Sequence, residues 1–423
     1  MVTARSDYDV LIVGGGLVGA SLACALGGLP VRVGVIEAFS YGSAAQPSYD
    51  DRSVALAYGA RRIFTGMGLW PTIADDVTPI KKIHISDRGH FGVVRLDAST
   101  TGQEALGYVI ENRHLGKAFA DAMAGFANIE MICPAQLQAI EIDETHARAT
   151  IKQDETTSTI TTRLIVGADG GQSLVRQCVG IEATSRDYGQ CAIIANVTPG
   201  KFHDHVAYER FTRYGPLAML PLSDCRCSLV WTMDRESSKK VLEMSDGDFL
   251  ARLQQFLGFR LGRLVKAGKR HIYPLALVRT QQQVRQRLVL IGNAAHTLHP
   301  VAGQGFNLGL RDVAVLAQIL TESIARGDDP GELVVLEGYQ KWRRGDQAAV
   351  TAFTDGIIRI FSNSFIPLVV VRNIGLVALD TIPPLKRGFL SRTMGLAGKL
   401  PRLARGLNIQ PHDSIYNRPQ NSS

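Results

Sequence analysis

The stretch YDVLIVGGGLVGASLACAL, residues 8–26, joins a short apolar run to a glycine-rich turn and then to a run of small residues. The apolar run predicts a β-strand over 8–13, and the small residues predict a helix that ends near residue 26. Between them stand Gly14, Gly16 and Gly19 in the spacing GxGxxG. In a dinucleotide-binding turn the first glycine makes the tight turn, the second lets backbone approach a pyrophosphate, and the third lets the helix pack on the strand. The stretch therefore predicts the first unit of a dinucleotide-binding fold.

A second apolar run, VRVGVIE, predicts a strand that ends at Glu37, 18 residues after Gly19. An acid near this distance accepts hydrogen bonds from the adenosine ribose and disfavours a 2′-phosphate. The three glycines and Glu37 are accordingly predicted to hold the ADP half of either FAD or NAD. They do not separate the two cofactors.

Two later stretches repeat the strand-and-turn pattern and favour FAD. LIVGADGGQSLVR (164–176) runs into Asp169, and RLVLIGNAAHTLHPVAGQGFNLGLRDVA (287–314) combines a strand, a turn and a helix from about Gly305. Three such corners, far apart in sequence, indicate that one long ligand is held from several sides, and FAD has that length. Gly303 and Gly305 would admit a flat ring against bare backbone, and the helix would direct its positive end towards a flavin carbonyl oxygen.

The bulk composition describes a folded chain of more than one domain. Its 423 residues are 45% hydrophobic and 20% charged, which is far from the composition of disordered proteins. The net charge of +7 would suit nucleic acid, an acidic membrane or an anionic cofactor, so its sign does not choose among them. Six cysteines without CxxC spacing, and no secretory signal, predict a reduced cytoplasmic location.

At these motifs the chain resembles the single-component FAD-dependent aromatic hydroxylases. GGGLVG, DDRSVAL, GADGGQS and GNAAHTLHPVAGQGFNLGLRD carry the likeness to the superfamily. HISDRGHFG, ERFTRYGPLAMLPLSDCRCSLVW and AGKRHIYPLAL carry the likeness to its ubiquinone-biosynthesis branch. The resemblance covers nearly the whole chain.

The resemblance implies an α/β fold in which a Rossmann-like, GR2-type FAD-binding domain is interleaved with a β-sheet substrate domain and followed by a helical C-terminal region. The implied FAD-binding domain is discontinuous, over 1–75, 100–185 and 275–345. The implied sheet domain takes 76–99 and 186–274, and the helical region takes 346–423.

The resemblance also implies a reaction. An FAD-dependent monooxygenase would use NAD(P)H and O2, through a flavin C4a-hydroperoxide, to hydroxylate a polyprenylated phenol, 2-polyprenyl-6-methoxyphenol, to the 1,4-benzoquinol in ubiquinone biosynthesis. Hydroxylation at another ring position, a flavin-dependent lipid reductase, and a non-enzymatic flavin-binding member of a ubiquinone-synthesis assembly are the alternatives. The expected partners are the phenol, O2 and other ubiquinone-biosynthesis proteins, with no nucleic acid.

Further cofactor contacts are implied residue by residue. Arg52 matches the arginine of a DxR motif, for which a surface salt bridge to Asp50 is the alternative. Arg113 falls where many relatives have a flavin-contacting arginine, and Asp169 matches a DG motif that contacts the cofactor indirectly. Asn293 stands where the superfamily usually has aspartate, and an amide keeps the hydrogen bonding without the charge. The residues expected to line the isoalloxazine are Pro300, Gly303, Gln304, Gly305 and Asn307.

Apolar alternation between about 190 and 272 predicts a sheet with one covered face, which in the family roofs the substrate cavity. The residues suggested to line that cavity are Leu217, Met219 and Trp231, and plain core packing is equally compatible with them. Tyr214 is suggested as the base for the phenol proton. His296 and His299 lack a third ligand in the sequence, so packing or backbone hydrogen bonding is predicted for them, and no metal.

The segment 355–407 mixes apolar stripes with basic residues. A helix of this composition lies on an anionic lipid surface or packs on its own FAD domain with a solvated basic edge, and both interpretations stay open. Its longest apolar run, FIPLVVVRNIGLVALD, is interrupted by Arg372 and Asn373 and falls short of the roughly 18 residues that a spanning helix requires. The tail after Leu407 is polar and predicted to fray.

Overall fold

The computed structural model describes residues 6–40, 52–299 and 303–409. The strands are β1 (Tyr8–Val13), β2 (Val33–Ile36), β3 (Ser53–Ala57), β4 (Thr78–Ile80), β5 (Lys82–Asp87), β6 (Val93–Asp97), β7 (Gly107–Glu111), β8 (Ile129–Ile132), β9 (Gln136–Ile142), β10 (Ala147–Gln153), β11 (Thr156–Gly167), β12 (Ala183–Pro199), β13 (Val206–Thr212), β14 (Gly215–Pro221), β15 (Cys227–Asp234), β16 (Leu264–Ala267), β17 (His271–Thr280), β18 (Val284–Arg285), β19 (Leu288–Leu290) and β20 (His296–Thr297). The helices are α1 (Leu17–Leu26), α2 (Tyr58–Gly66), α3 (Trp70–Ile73), α4 (Asn112–Ala124), α5 (Leu174–Cys178), α6 (Arg235–Glu243), α7 (Asp246–Leu257), α8 (Gln304–Arg326), α9 (Leu333–Phe361), α10 (Ile366–Thr381) and α11 (Pro383–Thr393).

The first large sheet contains the glycine-rich turn. Its strand order is β18-β19-β11-β1-β2-β8, and β19, β11, β1, β2 and β8 run parallel. β1 is buried on both faces, since Ile12 packs in one core with α1 and α8 while Leu11 packs in another with β10 and α5. A parallel strand covered on both sides is typically an uninterrupted apolar run, as VLIV is here.

The second large sheet has the order β20-β17-β12-β15-β14-β13-β5-β6. One of its faces is covered by α7, whose Phe249 and Leu253 pack against Leu229 and Trp231 of β15. The long antiparallel pair β12 and β17 extends from Ala183↔Thr280 at one end to Ile194↔His271 at the other. A small sheet of β3, β7 and β4 completes the strands of the described residues. The architecture confirms the predicted α/β fold class.

The predicted domain boundaries need adjustment at two places. β5 and β6 fall in the predicted range 76–99 and join the second sheet. β12 and β17, however, extend a few residues beyond the predicted limits of that sheet. The predicted boundary at 345/346 falls within α9, which continues through it without a break.

The chain closes with α10 and α11, which pack beside β5 and β6. Leu376 of α10 and Leu390 of α11 share one core with Ile85 and Val94. No single helix of the described residues is long and apolar enough to cross a membrane. α10 and α11 reach that composition only when taken together, across a bend of 93°.

Candidate active site

A cavity of about 810 Å3 lies between the two large sheets. It is bordered by the carboxyl ends of β1 and β2, the starts of α1 and α8, one face of the second sheet, and α11. This volume is within the range of roughly 300–1,000 Å3 that is usual for small-molecule sites. The carboxyl edge of parallel strands is also where ligands bind in folds of this type.

The three glycines of the first turn have three different environments. A side chain at Gly14, where φ is +104°, would begin 2.6 Å from the carbonyl oxygen of Ala168, and one at Gly19 would begin 1.9 Å from that of Gly14. At Gly16 a Cβ would meet nothing within 4 Å. Gly14 and Gly19 are therefore required by packing, whereas Gly16 keeps space open at the cavity wall. α1 starts there without a side-chain cap, so its first N–H groups are available to an anion.

Glu37 stands at the end of β2 and holds the glycine-rich turn. Its Oε2 accepts a hydrogen bond from the Gly15 N–H at 2.8 Å, and its Oε1 accepts one from the Phe39 N–H at 3.0 Å. The side chain is buried and lines the cavity. The structure therefore brings Glu37 together with Gly14 and Gly16, as the spacing predicted.

Asp169 follows β11 at the opposite wall. Its Oδ2 accepts a hydrogen bond from the Val175 N–H at 3.0 Å, while its Oδ1 is buried without a partner in the part of the chain that the structure describes. Burial raises the pKa of Asp169, against hydrogen bonds from Ser173 and Val175. A buried oxygen without a partner is costly unless a ligand or water satisfies it. Asp169 therefore has one acceptor available to a bound group.

The start of α8 forms the third wall. Gly303 has a φ of +60°, and a Cβ there would begin 2.8 Å from that of Ala55. Asn307 accepts a hydrogen bond from the Ala57 N–H at 2.8 Å and donates to the carbonyls of Ala55 and Gly303, both at 2.7 Å. Asn307 thus fixes β3 against the helix start.

Gln304 and Gly305 occupy the first turn of α8 and line the cavity. Gln304 is buried, and a Cβ at Gly305 would meet nothing within 4 Å, so bare backbone faces the cavity there. α8 has no side-chain cap, which leaves its positive end directed at the same space. Pro300, predicted to belong to this wall, lies outside the described residues.

Behind this wall lies a buried carboxylate that the sequence analysis missed. Asp312 accepts hydrogen bonds from the Gly292 N–H at 3.1 Å, from His296 Nε2 at 2.7 Å and from Arg343 Nε at 2.7 Å. Burial alone would raise the pKa of Asp312, but His296 and Arg343 hold that pKa well below its usual range. The available signal was a single acid inside the apolar run of α8.

The Asp312 cluster holds the turn that places Asn293 at the cavity, where its side chain is exposed. His296 is buried, as the predicted packing role requires, and its hydrogen bond goes to a carboxylate where the other predicted role had a backbone group. His299 is buried in edge-to-face contact with Tyr188, with ring centres 5.3 Å apart. No group of three or more His, Cys, Asp or Glu side chains within the described ranges has the arrangement of a metal site.

The two predicted arginines differ in their placement. Arg52 lines the cavity and lies 4.9 Å from the ring centre of Tyr273. Its alternative partner, Asp50, is outside the described residues. Arg113 is absent from the described lining, and its Nη2 donates to Glu111 Oε2 at 2.9 Å. The structure therefore does not bring Arg113 to the cavity.

The suggested substrate residues occupy the wrong face of the second sheet. Leu217, Met219 and Trp231 are buried against α7. Their sequence neighbours on the same strands line the cavity, namely Ala218, Leu220 and Val230. Period-two alternation groups the residues of a strand by face, but it does not say which face packs on a helix and which borders a cavity. A choice that is wrong by one residue therefore assigns every side chain of the strand to the opposite face.

Tyr214, suggested as a base, lies in the hairpin between β13 and β14, where its hydroxyl contacts Arg213. It is not among the described residues that line the cavity. Glu209 is among them, on β13. Its neighbours across the sheet, Ile85 and Ala218, also line the cavity. This carboxylate was missed, although its place in the alternation Ala207-x-Glu209-x-Phe211 was a visible signal.

The residues present fit FAD. The open space at Gly16, the acceptor on Glu37 and the start of α1 suit an ADP group. The bare backbone at Gly305 and the uncapped start of α8 suit a flat ring that gains negative charge. The unsatisfied Oδ1 of Asp169 can accept a hydrogen bond from a group bound between the starts of α1 and α8.

Comparison with known proteins agrees with this geometry. The profile of the FAD binding domain family matches residues 7–354. The chain is 38% identical over 413 residues to ubiquinone hydroxylase UbiL of Rhodospirillum rubrum, covering 96% of this chain and 95% of the relative. It is 32% identical to 3-demethoxyubiquinol 3-hydroxylase of Escherichia coli, covering 92% and 98%. The crystal structure of p-nitrophenol 4-monooxygenase PnpA from Pseudomonas putida superimposes with a TM-score of 0.77 over 92% and 98% of the two chains, and its 19% identity limits that likeness to the fold.

Proposed function

The chain belongs to the FAD binding domain family and is an FAD-dependent monooxygenase, and on that premise we propose that it hydroxylates the aromatic ring of a polyprenylated phenol in ubiquinone biosynthesis. One observation carries the proposal: an apolar sheet face and the open backbone of Gly305 border the same cavity. A phenol with a hydrocarbon tail needs a pocket of this kind. The names of the two relatives, both hydroxylases of ubiquinone-related compounds, support it.

Bound FAD, once reduced by NAD(P)H, supplies the activation of O2 that a ring hydroxylation requires. The chain's own residues bind and orient. Gly16 and the start of α1 receive the pyrophosphate, and Glu37 accepts hydrogen bonds from the ribose hydroxyls. Gly305 and the start of α8 stabilise negative charge at the flavin ring. Asn307 keeps β3 and α8 at a fixed separation, because it bonds to both.

The second sheet excludes water and holds the substrate. Ala218, Leu220 and Val230 present apolar surface to the cavity from three adjoining positions on β14 and β15. Removal of water strengthens the electrostatic effect of the α8 start and limits unproductive loss of activated oxygen.

Glu209 is the residue that we assign to the phenol proton. It lies in an otherwise apolar part of the wall, between Ile85 and Ala218. A carboxylate there can accept the hydrogen bond of the phenol hydroxyl and withdraw the proton as the ring is attacked, which raises the electron density of the ring. Tyr214 has no such access.

The proposed substrate is 2-polyprenyl-6-methoxyphenol, which becomes the 1,4-benzoquinol. Hydroxylation at another ring position of the same pathway is the second candidate, favoured by the name of the E. coli relative, a 3-hydroxylase. Profiling quinone intermediates in cells that lack this protein separates the two, because the accumulating compound lacks the hydroxyl that the enzyme adds.

A labelled-oxygen experiment tests the reaction class. Purified protein turning over a prenylated phenol with NADPH under 18O2 should place one labelled atom in the product. A flavin-dependent lipid reductase would give an unlabelled product. A protein that holds FAD but never accelerates NADPH oxidation with any phenol would contradict the hydroxylase and favour a structural role in an assembly.

The proposal includes a location. We expect a cytoplasmic enzyme that reaches its lipid-soluble substrate by peripheral contact with the inner face of the membrane and associates with other ubiquinone-biosynthesis proteins. Cell fractionation at low and high salt tests this, because a peripheral protein moves from the membrane fraction to the soluble fraction as salt screens its charges.

A further inference from the structure

α10 buries two polar residues together with Leu376, whereas five of its apolar residues are more than a third exposed. Arg372 and Asn373 are buried, whereas Ile366, Val371 and Ile374 are 76%, 64% and 56% exposed. A surface helix of a water-soluble protein normally shows the reverse, with its apolar stripe facing the core. The inversion therefore requires something that holds the helix in this orientation.

A buried polar cluster supplies that hold. Arg372 Nε donates to Asp87 Oδ2 at 2.8 Å, and Asn373 Nδ2 donates to the same oxygen at 2.9 Å. Asn373 Oδ1 accepts a hydrogen bond from the Gly92 N–H at 2.7 Å. At the far end of the helix, Asp380 Oδ1 accepts from the Arg95 N–H at 2.9 Å. Rotating α10 to bury its apolar residues would remove the hydrogen bonds of Arg372 and Asn373 to the buried Asp87 and leave that carboxylate only the partly exposed His90, which is strongly unfavourable.

The apolar residues form one surface, which we call the docking face. Its residues lie along α10 and around the bend into α11, and each is more than a third exposed: Phe365, Ile366, Val370, Val371, Ile374, Val377, Ile382 and Leu385. Single exposed apolar residues are ordinary on soluble proteins, but a contiguous set of this size marks an interaction surface.

The charges around the docking face are positive. Between residues 356 and 409 the chain has eight Lys or Arg and one acid, Asp380, although Arg372 is buried against Asp87 and adds no charge to the surface. Asp380 is engaged by Arg95 and Lys386. Arg387, Arg392 and Lys399 are exposed. This pattern complements anionic headgroups, whereas a second copy of the chain would bring the same positive charges against it.

α11 connects the docking face with the cavity. Leu385 and Ile382 are exposed at its start, and four residues of its last turns line the cavity: Phe389, Leu390, Thr393 and Met394. One short helix therefore has an end at each surface. A substrate dissolved in a bilayer would have to move only along this helix to reach the cavity.

We infer that the docking face binds an anionic phospholipid bilayer, with α10 lying in the headgroup region, and that substrate passes from the bilayer to the cavity along α11. The first part rests on the docking face alone. The second part rests on the proposed function. An interfacial helix of this kind combines buried apolar area with attraction to anionic lipid.

Vesicle co-sedimentation of the full-length holoprotein tests the first part. The wild type should sediment with vesicles of phosphatidylcholine and phosphatidylglycerol, and much less with phosphatidylcholine alone. The double variant Val371→Asp with Ile374→Asp should lose roughly tenfold or more in binding, since two charges enter the interface. Val334→Asp is the matched control, because Val334 is 70% exposed on α9, and it should bind as the wild type does.

Four results would overturn the inference. The wild type would fail to sediment with anionic vesicles, or the double variant would sediment as well as the wild type. Alternatively, gel filtration would show a dimer that the double variant converts to a monomer, in which case a second copy covers the docking face. Arg387→Gln with Arg392→Gln should weaken binding to anionic vesicles. Unchanged binding would show that these arginines do not recognise anionic lipid.

Turnover separates this inference from the proposed function. The double variant should hydroxylate a short-tailed, water-soluble phenol at the wild-type rate and a vesicle-embedded prenyl phenol several-fold more slowly. Equal rates on both substrates would reject the α11 route while leaving the hydroxylase intact. Absence of hydroxylation in the wild type would reject the proposed function and leave the sedimentation result standing.

Discussion

His296 Nε2 lies 2.7 Å from Asp312 Oδ2, and both side chains are almost completely buried. The bond joins β20 to the middle of α8, and the Gly292 N–H in the turn after β19 donates to the same oxygen, so the wall that presents Asn293 to the cavity is fixed from behind. Arg343 of α9 and Gln347 bond to the other oxygen of the same carboxylate at 2.7 and 2.9 Å. Three elements therefore depend on one buried charge for their relative positions.

Replacing that charge should cost much of the protein's stability. Asp312→Ala leaves the buried guanidinium of Arg343 without its fully buried partner and with only the more exposed Asp346, and we expect the free energy of unfolding to fall by about 3–5 kcal/mol. Urea unfolding measures this. Asp328→Ala is the control, because Asp328 pairs with Arg326 at an exposed site, and exposed pairs contribute about 0–1 kcal/mol. A loss for Asp312→Ala no larger than the control's would show that the cluster is not a structural support.

Gly16→Val should give a folded protein without FAD. The backbone at Gly16 is extended and a Cβ there meets nothing within 4 Å, so the apoprotein has no reason to unfold. The branched side chain would occupy the space of the pyrophosphate. We expect the melting temperature of the apoprotein to stay near the wild type's and the visible absorbance of oxidised flavin to be lost.

Gly19→Ala provides the contrast for the glycine-rich turn. Its methyl group would start 1.9 Å from the carbonyl oxygen of Gly14, so this variant should fail to fold or should unfold several degrees earlier, with or without FAD. A Gly16→Val protein that purifies with its full flavin content would show that the pyrophosphate lies elsewhere.

The strand-turn-helix corners could be predicted from sequence because their geometry is local. Each required glycine meets an atom only a few residues or one neighbouring strand away, and GxGxxG states that requirement directly. The predicted FAD cofactor, fold class and likeness to ubiquinone-biosynthesis hydroxylases are confirmed. What separates Gly16 from Gly19, open space against close packing, also follows from the motif.

Two features could not be predicted in this way: which face of a strand or helix borders the cavity or the solvent, and which side chains pair over long distances in sequence. The choice between Ala218 and Met219 depends on which side of the sheet α7 covers, and α7 lies about 30 residues further along the chain. Arg372 pairs with Asp87 across 285 positions. An apolar stripe is ordinarily assigned to the core, so no pattern within α10 could state that its stripe faces outwards.

One substitution on each face of β14 tests which face borders the cavity. Ala218→Phe should narrow the cavity and raise the KM for the prenyl phenol by roughly tenfold or more, with FAD retained, because a bulky ring replaces space for the substrate. Met219→Ala should leave KM unchanged and reduce the free energy of unfolding by about 2–5 kcal/mol, because it creates a void in the α7 core. Steady-state kinetics and urea unfolding on the same samples distinguish the two. A raised KM for Met219→Ala with an unchanged KM for Ala218→Phe would show that Met219, and not Ala218, borders the cavity.

Glu209→Gln tests the assignment of the phenol proton. The amide keeps the shape but cannot take a proton, so we expect the rate of hydroxylation to fall by roughly 100-fold or more with a small change in KM. Tyr214→Phe is the control and should retain the rate. Full activity in Glu209→Gln would show that the phenol needs no base from this strand.

His299 should lower the free energy of unfolding in mild acid. Burial lowers the pKa of His299 to about 4, against about 6.5 in the unfolded chain. Between these values the unfolded state binds the proton and the folded state does not, so stability is complete above pH 6.5 and decreases as the pH falls towards 4. The expected loss between pH 7 and pH 5 is about 2 kcal/mol.

His299→Phe preserves a ring against Tyr188 and removes the titrating group. Urea unfolding at both pH values should therefore show a decrease in the wild type about 2 kcal/mol larger than in the variant. Equal decreases in the two proteins would mean that His299 does not titrate differently on folding.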